Sequence, residues 1–280
     1  MDVPGPVLQS LRAAERAQSR AEVIVSLSEG ALRVDRLRQT GCAKALLPDT
    51  CSARPEAVLI NTAGGVTGGD RFERRIGAGP GARLTVTTQA AERVHDGDRG
   101  VARIETRITA GAGASIDWLP RETVLLAGGC LARRLDADLA GDARLLALEV
   151  LMFGRAGMGE RFRGGALSDQ WRIRRDARVV HSEALRLAGD LSAAVGGTTR
   201  HGGEHRALAT LVEAAPDAEE RLLAARARLA HLDGVAAGAS ASGGVLTVRF
   251  LAPDLAPLRQ ALIRFLTAFR GAPLPAVWSF

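Results

Sequence analysis

The sequence predicts a mostly β protein with a layered, β-solenoid-like (β-helical) architecture and two α-helices in its C-terminal third. Three observations carry this. Short apolar or β-branched runs are separated by glycine. A weak repeat recurs about every 30 residues. Two late segments change to helical periodicity. Glycine is 32 of 280 residues, above the usual ~7%, and falls mainly between runs too short for helices. These runs are Ala57–Asn61, Arg71–Ile76, Ala82–Thr88, Val101–Thr109, Ala114–Leu119 and Arg144–Phe153.

The repeat aligns Ile76–Leu84 with Ile108–Ile116 and then with Leu139–Leu145, placing an Ala-Gly turn at Gly79, Gly111 and Gly141. Each copy reads as strand, tight turn, strand and longer loop. Such a unit cannot bury its own apolar face, so copies must stack. The first helix is expected over Pro216–His231, with Pro216 in its first turn, Glu219 and Glu220 at the positive dipole end, and Leu222, Ala225 and Leu229 on one face. The second starts at Asp254 as N-cap. Leu255, Leu258, Leu262, Phe265 and Phe269 follow helical spacing until Gly271 and Pro273 stop it. One strand, Val245–Leu251, is expected between them. The chain then reads as a single domain over 1–280, with a β-rich body over about 25–195 and a helix–strand–helix region over about 215–272. Residues 189–203 read as an exposed loop.

Composition excludes several classes. Apolar residues are 46% and charged residues 24%, enough to build a core. The longest uncharged stretch, Gly234–Val248, is small-residue-rich and shorter than the ~20 apolar residues of a spanning helix. No signal peptide is visible, and three scattered cysteines without a disulfide framework lead to the expectation of a reduced, cytoplasmic protein. The net charge is +6, and Lys44 is the only lysine among 37 basic residues. The longest basic cluster, Arg172, Arg174, Arg175 and Arg178, reads as one face of a strand and lacks interleaved aromatics, so nucleic acid is not an expected partner. Cys42, Cys51 and Cys130 are odd in number and lack CxxC spacing, which excludes a disulfide framework and a zinc ribbon.

Three segments could carry chemistry. Asn61–Asp70 holds four glycines after a strand, yet no Gly-Lys-Ser/Thr and no helix follow, so neither a P-loop nor a dinucleotide fold fits. Asp70 is there either a turn cap or a placed carboxylate. Gly154–Glu160 brackets flexible glycines between Arg155 and Glu160, which a turn stapled by an ion pair also explains. His201-Gly-Gly-Glu204-His205 fits an H-x-x-E-H pattern, and a metallohydrolase built on His201, Glu204 and His205 is the alternative function. That chemistry needs a helix, which Gly202 and Gly203 each disfavour by roughly 1 kcal/mol. No Gly-x-Ser-x-Gly elbow and no evident catalytic pair of carboxylates is present.

Six segments, in order, then resemble one family. Asn61–Asp70 resembles the NTAGG-x-x-GGD motif of the urease accessory protein D family, also called UreH. Thr87–Ala91 resembles its T-x-Q-A-A stretch, Asp117–Thr123 its E-W-L-P-Q-E-T, Phe153–Glu160 its G-R-x-A-M-G-E, Asp169–Asp176 its W-R-I-R-R-D, and Pro273–Trp278 its L-P-R-x-W ending. The resemblance implies a non-catalytic urease maturation factor. It implies a scaffold that binds apo-urease and accessory proteins F and G, and that passes nickel through an internal tunnel. It implies no tightly bound cofactor, only transient Ni²⁺, while composition alone argues against a nucleic-acid or membrane partner. Carried onto this chain, Asp70, Glu149 and Glu183 would line the nickel path. Gly64, Gly65, Gly68, Gly69, Arg155, Glu160 and Trp171 would be structural members of the motifs. Successive weak oxygen contacts suit a metal in transit, where four-ligand capture would stop it. Turn capping by Asp70 and ion pairing by Glu149 and Glu183 are the alternative roles. Glu92, His95 and Arg121 depart from the family pattern. The two helices are the expected part of the partner surface.

Overall fold

A computed structural model describes residues 16–48, 54–97, 100–154, 164–189 and 205–279. Two sheets face each other. One has seven strands in the order β14 (Arg178–Gly189), β13 (Gly165–Arg175), β11 (Cys130–Leu139), β8 (Ala102–Ala110), β5 (Arg71–Ala78), β1 (Gln18–Ser28) and β2 (Ala31–Thr40). The ten-stranded sheet runs β16 (Ala236–Ser242), β17 (Val245–Ala252), β15 (Ala207–Ala214), β12 (Arg144–Phe153), β9 (Ser115–Leu119), β6 (Arg83–Thr88), β4 (Glu56–Asn61) and β3 (Ala43–Leu46). The short β7 (Glu92–Val94) and β10 (Thr123–Leu125) extend it beside β12.

The chain crosses from one sheet to the other with each coil, giving a β-solenoid of about three turns. Strands β1, β5, β8, β11 and β13 are parallel in one wall, and β4, β6, β9 and β12 in the other. Register stacks the repeats: Ile76 lies beside Ile108, and Leu84, Ile116 and Leu145 form one row. The turns stack too, with Gly79 N–H donating to Val25 O, Gly111 N–H to Ala78 O and Ala140 N–H to Ala110 O. In the third copy the equivalent of Gly79 and Gly111 is therefore Ala140, one residue before Gly141. The spacing read from the Ala-Gly pairs was one residue too long there.

Alternation sets the core. The inward side chains of the seven-stranded sheet include Val23, Ile76, Ile104, Ile108, Leu135 and Ile173, which meet Leu84, Val86, Ile116 and Trp118 of the other sheet. A second apolar layer lies outside the ten-stranded sheet, where α1 (Leu222–Leu229) and α2 (Leu255–Arg270) pack on Leu148, Leu211, Val248 and Phe250. Helix α2 begins at Asp254, whose carboxylate accepts from Leu255 N–H, and ends at left-handed Gly271. Of its predicted apolar stripe, Leu258, Leu262, Phe265 and Phe269 are buried, and Leu255 in the first turn is half-buried.

Three expectations need correction. Helix α1 is shorter than Pro216–His231, because residues 216–221 form turns. Glu219 accepts from Gly244 N–H (2.9 Å) rather than lying in the first helical turn, and Arg221 turns away to Glu213 and to the Phe269 carbonyl. The region between the helices contains two strands, not one. The first, β16 (AAGASAS), has no β-branched or large apolar residue, so it carries no strand signal of its own and forms by pairing with β17. The arginine cluster is not one face of a strand: β13 ends at Arg175, Asp176 and Ala177 turn with positive φ, and Arg178 opens β14. Among the described residues no helix is long and apolar enough to cross a membrane.

Candidate functional site: a polar thread between the sheets

The glycine motif links β4 to β5. Asp70 is buried and both its oxygens accept backbone protons, Oδ1 from Ala17 N–H (2.8 Å) and Oδ2 from Thr67 N–H (2.8 Å). It clasps the loop to the strand entering the sheet. Gly64 and Gly69 turn with positive φ in the same loop. Gly65 has φ +150°, and a Cβ there would stand 2.6 Å from Arg93 O; one on Gly68 would stand 2.7 Å from Gly100 O. The loop is thus packed against the next coil, backbone on backbone, as only glycine allows. Asn61 closes it by donating to Gly65 O (3.0 Å) and to Glu92 Oε1 (2.8 Å).

From Glu92 a thread of charged groups runs between the sheets. Arg74 on β5 points inward and donates to Glu92 Oε2 (3.1 Å), and its guanidinium lies 5.7 Å from the Trp118 ring centroid. Trp118 Nε1–H donates to Glu149 Oε1 (3.2 Å). Glu149 Oε2 accepts from Arg133 Nη1 (2.5 Å), and Arg133 makes a fork with Asp169 through Nε (3.1 Å) and Nη2 (2.6 Å). Arg133, Glu149 and Asp169 are each nearly inaccessible to water. Burial raises the Glu149 carboxyl above its ordinary range, against the pull of Arg133. Burial raises Glu92 likewise, opposed by Arg74 and Asn61. For Arg133, burial works against the charge, yet Asp169 and Glu149 more than offset it and raise its pKa further.

Glu149, Asp169, Arg133 and Glu183 meet at a void of about 20 Å³, closed by Trp171 and Leu208. A larger cavity of about 170 Å³ opens at the other end of the thread, lined by Asn61, Gly64, Gly65, Arg74 and Glu92. Arg74 and Trp118 lie between the two. The fold therefore brings Glu149 and Glu183 together and keeps Asp70 apart, in the loop beside the larger cavity. Trp171 is an inward wall residue of the small void. Arg155 and Glu160 lie outside the described residues, as do His201 and Glu204. His205 is buried and non-helical just before β15. Among the described residues no group of three or more His, Cys, Asp or Glu is arranged to hold a metal ion.

Glu183 occupies the open edge. Arg249 of β17 donates to its Oε2 (2.8 Å), and His181 Nε2 stands 3.6 Å away. His181, and then Arg249, hold the Glu183 carboxyl below its usual range despite partial burial. A carboxyl depressed on folding adds stability above its unfolded value of 4.5 and loses it as pH falls through the folded value. Glu183→Gln is accordingly expected to flatten the acid limb of the stability–pH curve below about pH 4.5, measured by denaturant titration at several pH values.

The other motif residues pack the layers together. Along β9 side chains alternate, so Trp118 faces the thread while Asp117 faces outward and binds Arg270 of α2 (2.7 Å) and Arg54 (3.1 Å). Glu122 binds Arg259 of α2 (2.6 Å). Arg121, one of the departures, stacks on Trp278, whose Nε1–H donates to Leu119 O (3.2 Å). Asp176 accepts from Gly141 N–H (2.9 Å), tying the W-R-I-R-R-D stretch to the preceding turn.

The sequence motifs assign no role to Arg74, Arg133 or Asp169. Their signal was present, because each occupies the apolar phase of an alternating strand: Phe72-x-Arg74-x-Ile76, Leu131-x-Arg133-x-Leu135, and Leu167-x-Asp169-x-Trp171.

The family model described as UreD urease accessory protein matches residues 17–279. A Urease accessory protein UreD of Rhizobium etli is 45% identical over 266 residues, covering 95% of this chain and 96% of its own length. One of Xanthobacter autotrophicus is 46% identical over 265 residues, covering 95% and 91%. One of a Methylobacterium species is 44% identical over 270 residues, covering 94% and 95%. The six motifs, the family model over most of the chain and relatives about 45% identical over nearly its full length converge, and the chain belongs to the UreD family of urease accessory proteins.

Proposed function

We propose that this chain is a scaffold in the complex that delivers nickel to apo-urease, together with accessory proteins F and G, and that the polar thread is the route of the metal. As an accessory protein it assists urease and is not itself a catalyst. The observation that carries the nickel reading is the buried Glu149–Arg133–Asp169 cluster beside Glu183. A buried ion cluster adds little net stability compared with apolar packing, so its presence in a β-solenoid core asks for another explanation.

Cation passage supplies one. A divalent ion reaching Glu149 or Asp169 must compete with the Arg133 guanidinium, which already pairs with both carboxylates. Each contact is then a competition rather than a capture, and the bound ion is held weakly. Asp70 and Glu92 flank the entrance, Glu149 and Asp169 lie at the centre, and Glu183 with Arg249 lies at the far edge. Passage requires Arg74 and Arg133 to move aside, so the partners that open the route must act on the strands that carry them.

The test is urease activation by the complete set of accessory proteins and nickel. Asp70→Asn, Glu149→Gln and Glu183→Gln together are expected to lower activation about tenfold or more while the complex still assembles. Full activation by an assembled complex carrying this variant would sink the route. Failure of the parent chain to enter a complex with urease and proteins F and G would instead sink the scaffold.

A further inference from the structure

The outer face of the seven-stranded sheet is covered by no element among the described residues, whereas the outer face of its partner sheet carries both helices. It is a field of arginines and acids standing on parallel strands. One row is balanced. Glu73 and Glu105 face each other across β5 and β8, and arginines neutralise them: Arg20 (2.5 Å), Arg75 (2.7 Å) and Arg107 (3.4 Å) for Glu73, and Arg107 (2.9 Å) for Glu105. The row beside it is not. Arg71 and Arg103 oppose each other directly across the same two strands, both exposed, and neither forms an ion pair among the described residues. Like charges directly opposed on a sheet are destabilising. Arg38 on β2, also exposed and without an ion pair there, lines the same shallow trough of about 600 Å³.

We infer that this trough docks an acidic segment of a protein partner, with Arg38, Arg71 and Arg103 receiving its carboxylates. Neighbouring strands are about 4.8 Å apart, so Arg71 and Arg103 can grip one carboxylate between them or take two from an extended chain. Arginine favours such planar, two-point contacts. The trough's one aromatic residue, Phe72, is buried under the sheet, which leaves no surface on which nucleic-acid bases could stack. Carboxylates bring the missing counter-charge without needing an aromatic platform. This surface is separate from the interior thread and does not depend on nickel.

The test measures binding of a fluorescein-labelled oligoglutamate peptide to the full-length chain by anisotropy at low and physiological salt. Binding that weakens with salt is expected. The R38Q/R71Q/R103Q variant is expected to lose about tenfold or more in affinity, and a control with the same charge change, R83Q/R178Q/R264Q, less than about twofold. Equal losses in the two variants would reduce the effect to net charge and overturn the proposal. So would the absence of peptide binding, or a labelled oligothymidylate that binds as tightly as the peptide. Thermal melting gives an independent reading. R103Q alone is expected to be at least as stable as the parent, since it relieves an uncompensated repulsion. A lower melting temperature would make Arg103 a structural residue and overturn the assignment.

Discussion

Arg133→Ala is expected to destabilise the fold by about 3–5 kcal/mol, measured as a shift in the denaturation midpoint. The magnitude follows from what is left behind. Arg133 is the shared partner of Glu149 and Asp169, and without it two carboxylates sit close together between the sheets with no cation in contact. Either they take up protons or water must enter the core, and both cost free energy. Replacing all three residues with leucine is expected to recover most of this loss, because an apolar cluster of similar volume needs no pairing. The same triple variant is expected to fail in urease activation if the thread carries nickel. Stability and function therefore part company in one molecule, which a purely structural role for the cluster does not predict.

Phe265→Ala is expected to cost about 3–5 kcal/mol, the range for emptying an aromatic site in a packed core. Phe265 is 1% exposed and stands at the centre of the helix layer. Its ring lies stacked 5.1 Å from Phe269 and edge-on 5.5 Å from Phe250 of β17. Truncation removes both contacts and opens a void that the rigid sheet cannot close. The salt bridges Arg270–Asp117 and Arg259–Glu122 remain at the two ends of α2. The helix is therefore expected to stay docked but loosened, with faster amide exchange along α2 than along β8 or β11. Equal loss of protection in all three would show that the helix layer and the solenoid unfold as one unit.

The solenoid was legible because it is local and periodic. Gly79 and Gly111 mark turns, and the apolar residues between them alternate with period two, so strand, turn and stacking follow from short stretches of chain. Helix α2 was legible for the same reason, with Asp254 and Gly271 as its two ends. The failures were places where the local signal was absent or misleading. Strand β16 exists because β17 offers an edge, not because AAGASAS prefers to be extended. Pro216, Glu219 and Glu220 resemble a helix start, yet Glu219 and Arg221 found better partners elsewhere in the fold.

The site divides in the same way. Its residue types were visible: Asp70 after two glycines, Glu149 inside an apolar strand, Glu183 on a strand of mixed character. Asp70 caps its own loop, one of the two roles read from the motif, and in the proposed route it also flanks the entrance. The joining of Glu149 to Arg133, Asp169 and Glu183 was not visible, because they stand on four successive strands, β11 to β14, whose side chains meet only when the two walls face each other. The sequence by itself determined the β-solenoid class and the second helix, since each rests on patterns within a few tens of residues, and the family, since six short motifs occur in order along the chain. Only the tertiary structure decided which charges face each other, because period-two alternation says which side of a strand a side chain takes but not what waits on the opposite wall.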